Sequence, residues 1–97
     1  MKYLILTKPH TPIPQEKRLA IYQALKKDIN DALKTGLADC VYAFYDTSGI
    51  MIANADSHDD IMDALRETPL APYASFEVKP LLDINRYYDK AIAMLQK

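Results

Sequence analysis

The sequence predicts one α+β domain: four strands alternate with two helices, and a last helix follows. Three observations predict it. Short apolar runs bounded by Pro, Gly or Asp read as strands. Longer stretches with apolar residues at three- and four-residue steps read as helices. The two kinds alternate along 97 residues, residues 1–97 making the length of one domain and no more.

Tyr3 to Thr7 is a short buried strand, stopped by Lys8 and Pro9. Pro9, Pro12 and Pro14 make the next segment a loop, and it carries His10. From Gln15 to Thr35 the pattern is helical. Leu19, Tyr22, Lys26, Ile29 and Leu33 recur at helical steps, with Leu25 and Ala32 beside them. Pro14 suits the helix start, and Gly36 behind Lys34 and Thr35 suits its stop.

Asp39 to Asp46 is the second strand, with Cys40, Tyr42 and Phe44 on one face and Val41, Ala43 and Tyr45 on the other. Asp46-Thr47-Ser48-Gly49 is a hairpin turn, and Ile50 to Asn54 returns from it. Ser57 caps the second helix, where Asp59 and Asp60 sit at the positive end. Ile61, Met62 and Leu65 form its apolar side, and Thr68-Pro69 ends it. Ala74 to Leu81 is the fourth strand, with Phe76 and Val78 on one face and Ser75, Glu77 and Lys79 on the other. Asp83 begins the last helix, whose stripe is Ile84, Tyr87, Tyr88, Ala91 and Leu95.

The order β-α-β-β-α-β is the ferredoxin-like arrangement, a four-stranded antiparallel sheet with both helices on one face. The other sheet face carries Tyr, Phe, Ile or Met in either register. An apolar uncovered face needs a partner. A second copy stacked sheet to sheet is the economical answer. A terminal helix folded back over that face is the competing one.

Composition excludes several roles. Lys plus Arg is 12 and Asp plus Glu 13, for a net charge of -1. A near-neutral chain without a basic run has no footprint for nucleic acid and no polybasic segment for a membrane surface. Cys40 is the only cysteine, so neither an intrachain disulfide nor a thiolate cluster within one chain is expected. That composition and the short apolar start point to the cytoplasm.

The stretch Pro69-Leu70-Ala71-Pro72-Tyr73-Ala74-Ser75-Phe76-Glu77-Val78-Lys79-Pro80-Leu81 resembles the muconolactone isomerase family. That family has a Pro-Leu-x-Pro-Tyr loop running into a strand that ends hydrophobic-Glu-Val-x-Pro-Leu. Ala55-Asp56-Ser57 before a helix is also similar. The resemblance implies a dimeric α+β barrel, in which each subunit keeps a pocket between its sheet and its helices, and assemblies built from such dimers. The family's catalytic set is a different matter. Its members carry an acidic residue in the first helix and a Trp-Arg-His-x-Trp-Arg run in the second strand. Here those places read Ala24-Leu25-Lys26-Lys27 and Leu37-Ala38-Asp39-Cys40-Val41-Tyr42, and the chain has no Trp. Proton transfer beside a carbonyl needs a positioned base and a charge stabiliser. The fold is therefore carried over and the reaction is not.

The candidate site residues are His10, Tyr22, Tyr42 and Asp39. His10 follows the first strand, where loop residues often face a pocket, and an imidazole there can act as acid or base. Seven Tyr against two Phe is an unusual ratio, and tyrosines join an apolar ring to a polar tip. Tyr22, Tyr42, Tyr45 and Tyr73 are each equally readable as core or interface residues. Asp39 stands where it either orients a partner or simply begins a strand. His58, Asp59 and Asp60 near Asp56 are explained by helix capping without a metal. Cys40 lacks the neighbouring base a nucleophile needs and reads as a small hydrophobe. Glu77 and Lys79 read as an ion pair. Together these predict a homodimer that binds a small aromatic or lactone-like ligand, with isomerase or related proton-transfer chemistry and no cofactor. The alternative is a non-catalytic binding or assembly module.

Overall fold

The computed structural model describes residues 1–96. Its elements run β1 (Lys2–Pro9), α1 (Gln15–Thr35), β2 (Ala38–Ala43), β3 (Gly49–Asn54), α2 (His58–Glu67), β4 (Ala74–Leu81) and α3 (Ile84–Leu95). The strands form one sheet of order β2-β3-β1-β4, antiparallel at every pairing. This is the ferredoxin-like α+β fold that the element order predicts.

β1 and β3 are the two inner strands of the sheet. Ile5 lies opposite Met51 of β3 on one side and Val78 of β4 on the other. Side chains alternate across the strand. Tyr3 and Ile5 point to the helix face and are buried, while Leu4 and Leu6 between them are half-buried on the opposite face. The core gathers Tyr3, Ile5 and Ala53 from the sheet with Ile61 and Leu65 from α2. Ile61 and Leu65 are four residues apart, so one side of α2 is seated on the sheet. Ser57 caps that helix as expected, its hydroxyl accepting from the Asp60 N–H at 3.2 Å.

The structure departs from the sequence reading in two places. The second strand ends at Ala43, not Asp46, and Phe44 and Tyr45 leave the sheet. The hairpin loop closes earlier, through the Phe44 N–H donating to the Ser48 carbonyl at 2.8 Å. Thr47, with φ 70°, takes the left-handed position usual for glycine in such a turn. Gly49 instead opens β3, where an added Cβ would stand 3.2 Å from the Tyr42 carbonyl oxygen.

The second departure concerns α1. Its inward side is built on Ile21, Leu25, Ile29 and Ala32, all half-buried, while Leu19 and Tyr22 are 71% and 55% exposed. Two neighbouring stripes of this helix are apolar, and the larger one faces out. The connection to β2 sets the rotation. Gly36 ends α1 at φ 83°, the Asn54 side-chain amide donates to the Gly36 carbonyl at 3.0 Å, and the Asn54 N–H donates to the Leu37 carbonyl at 2.8 Å. No residue of α1 is buried.

α3 does not return over the sheet. From Leu81 to Gln96 every residue is exposed except Ala91, which is half-buried. The radius of gyration is 16.4 Å and the longest dimension 62 Å, against roughly 13 Å for a compact domain of this length. The apolar sheet face, with Leu4, Leu6, Ile50 and Ile52, is left without a layer of its own. No described helix is long and apolar enough to cross a membrane.

Two substitutions test this arrangement by urea unfolding. Ile5→Ala opens a hole under α2 and lowers stability by about 2–5 kcal/mol. Gly36→Ala meets nothing within 4 Å, so it is expected to cost only the left-handed backbone strain, about 1 kcal/mol.

Candidate ligand-binding site

α1 and α2 cover the same sheet face, but only α2 seats buried side chains on it. The space left under α1 is a cleft of about 930 Å³. Small residues hold it open: Gly49, Ala43 and Ala53 on the sheet, Ala32 on α1 and Ala64 on α2. Ile5, Ile29, Ile61 and Phe76 make much of the wall apolar. The polar lining comes from Thr7, Asn54 and the hairpin residues Thr47 and Ser48 on the sheet side, and from Asp28, Asp56, Asp60 and Thr68 on and beside the helices. A cleft of this size with few polar groups has the make-up of a small-molecule site.

A smaller hollow of about 430 Å³ continues it towards the end of β1. Thr7, Leu25, Thr47 and Leu70 line both. The hairpin tip is therefore a shared wall. Asp46 fastens it, accepting from the Ser48 N–H at 3.0 Å and from the Ser48 hydroxyl. Those bonds, the hydroxyl's first, and the nearby Lys8 charge hold the Asp46 carboxyl below the usual carboxylate range.

The four candidate residues do not converge. Tyr22 lines the smaller hollow with Thr11, Arg18 and Tyr73. His10 lies beside that hollow but outside its wall. Its N–H donates to the Tyr73 carbonyl at 2.9 Å, and its Nδ1 lies 2.7 Å from the Thr11 hydroxyl. Tyr42 borders the large cleft only at its β2 margin: paired opposite Ile50, its side chain is 68% exposed on the uncovered sheet face. Asp39 lines neither hollow. It sits at a bulge between Ala38 and Cys40, where it accepts from the Lys2 ammonium and, at 2.8 Å, from the Asn54 amide. Lys2 begins β1 and His10 follows its end, so Asp39 and His10 stand about 25 Å apart at the strand rise.

The Lys2 hydrogen bond, then the Asn54 bond, hold the Asp39 carboxyl below its ordinary 3.8. A depressed carboxylate stabilises the fold above its unfolded value and loses that contribution as pH falls through the folded one. The clamp's contribution is therefore complete above about pH 3.8 and is lost only in the more acid range, as pH falls through the lowered folded value. Glu77 and Lys79 do pair, at 3.2 Å, on the uncovered sheet face.

Asp28 is the lining residue that sequence reasoning passed over. Its signal was there: it falls between Leu25, Ile29 and Ala32, a carboxylate inside the inward stripe. Thr7, Thr47 and Ser48 carried no comparable signal, because turn chemistry explains such residues equally well.

The geometry defines a class first: a ferredoxin-like antiparallel sheet with an open apolar cleft beneath its helices. Among solved structures, a crystal structure of muconolactone isomerase has this fold. The TM-score is 0.75, the match covers 86% of this chain and 90% of that one, and the identity is 17%. The fold resemblance read from Pro69 to Leu81 thus extends over most of the chain, and at that identity it is a likeness of fold. No protein-family model matches the chain, and no curated protein does.

Lys2→Met removes the first cause of the Asp39 depression. The Asp39 side-chain pKa is then expected to rise towards 3.8, followed by carboxyl-carbon NMR across an acid titration. An unchanged value would assign the depression to Asn54 alone.

Proposed function

We propose that this chain is a homodimeric small-molecule-binding protein, with its ligand in the cleft between the sheet and α1. The observation that carries the reading is the cleft itself, about 930 Å³ of mostly apolar space with a few polar groups in its wall. Fold alone does not transmit a reaction, so the likeness to muconolactone isomerase bears on where a ligand sits and not on what happens to it.

Isomerase or related proton-transfer chemistry without a cofactor would fall to Tyr22 and His10 at the smaller hollow, and to Tyr42 at the cleft margin. Tyr22 offers a phenol and His10 an imidazole, groups that can give or take a proton. Asp39 has its partners already and serves by holding β2 to Lys2. The lone Cys40 suits a reducing cytoplasm.

Two features favour a second copy of the chain as partner. Leu4, Leu6, Ile50 and Ile52 lie on a sheet face with no covering layer, and α3 projects with Ile84, Tyr87 and Leu95 exposed. Stacking sheet to sheet buries the first, and α3 laid on the other subunit buries the second. These same two features favour the second reading, a non-catalytic assembly module.

Native mass spectrometry separates the readings. A dimer, or a multiple of it, carrying a non-covalent adduct is expected. Ala32→Trp, which fills the cleft, then loses the adduct and keeps the dimer. A dimer without adduct leaves the assembly module, and a monomer overturns the homodimer. For catalysis, deuterium uptake beside the carbonyl of a γ-lactone is the readout, and Tyr22→Phe is expected to slow it about 100-fold.

A further inference from the structure

The walls of the large cleft carry charge of nearly one sign. Asp28 of α1, Asp56 of the loop before α2 and Asp60 of the first turn of α2 line it, all three at its exposed margin. Among the described residues no Lys, Arg or His lines it. The Met1 α-ammonium at its edge donates to the Ala55 carbonyl at 3.0 Å.

The three carboxylates are also unengaged. Among the described residues, no side chain donates to Asp28, Asp56 or Asp60 and none pairs with them. Asp31, Asp39 and Asp63 each have a basic partner, at Lys27, Lys2 and Arg66. Nor do the lining acids stand close enough as a group to hold a metal ion.

We propose that the cleft selects a ligand that is apolar along most of its length and carries one cationic group, an amine or quaternary ammonium, set against Asp28 and Asp60. The proposal rests on the small-molecule reading and specifies its ligand class. A carboxylate ligand would meet like charge and no counter-ion except a main-chain-bound ammonium. The α2 N-terminus opposes a cation with about half an elementary charge, but Asp60 in its first turn outweighs that with a full negative one. The apolar body of the ligand would rest on Ile29, Ile61 and Phe76.

The test uses three probes of one skeleton: phenylbutylamine, phenylbutanol and phenylbutanoate. Each is titrated into the full chain at fixed ionic strength, with the Ile29 and Ile61 amide shifts followed by NMR. The amine is expected to bind about tenfold tighter than either other probe, the scale of one partly screened charge pair. Asp28→Asn with Asp60→Asn is expected to erase that preference, as is high salt acting on the unaltered chain. Equal binding of all three overturns the cationic class and leaves the small-molecule reading standing. Failure of all three to shift Ile29 and Ile61 overturns both.

Discussion

Everything in this fold hangs from the double pairing of β1. It is one of two inner strands, and the one that joins the β2-β3 hairpin to β4: it bonds to β3 from Lys2 to Thr7 and to β4 from Lys2 to Pro9. Because strand side chains alternate, that single register decides which residues go to the helices and which to the open face. A slip of one residue would send Tyr3 and Ile5 to solvent and bring Lys2, Leu4 and Lys8 under α2. The charged ends of that second set make the slip costly.

The helix face is divided by how its two helices are held. α2 rests on buried side chains, Ile61 and Leu65. α1 is held at its two ends instead. The Arg18 guanidinium donates to the Ile13 carbonyl at 2.9 Å at one end, and Asn54 secures Gly36 and Leu37 at the other. A helix of 21 residues fixed this way spans the sheet without settling on it. Glycine and alanine in the wall keep the gap from filling. The cleft is thus a product of end anchoring and small side chains, two features of unrelated origin along the chain.

That division explains what was legible in the sequence. Strand and helix order could be read because Pro, Gly and Ser57 punctuate it. α1 and β4 begin and end where periodicity places them. The rotation of α1 could not be read, since Leu19–Tyr22–Leu33 and Ile21–Leu25–Ile29–Ala32 are both plausible inward stripes. Asn54, thirty or so positions away from most of them, makes the choice by a non-local bond. The early end of β2 was hidden for a related reason. Phe44 and Tyr45 have strand propensity, and the loop overrules it by placing a threonine where a glycine is usual. Of the candidate site, Tyr22 reaches a hollow, Tyr42 stands with Ile50 on the uncovered sheet face, and Asp39 belongs to the sheet's own fastening. Whether a polar residue meets a cleft or a neighbour depends on register and bulges, which local pattern does not encode.

The projecting α3 has a kinetic meaning. A helix of 12 residues is near the lower limit for persistence in water when nothing packs on it. Within a free subunit it is held by its own ladder and by the Asp83 carboxylate, which accepts from the Arg86 N–H at 3.0 Å. Such a segment melts and re-forms on a sub-microsecond to microsecond scale, far faster than two subunits meet. In the homodimer proposed above, an approaching copy would encounter this extended arm before it met the sheet. Capture by the arm would widen the target for collision and defer its ordering to the moment of contact.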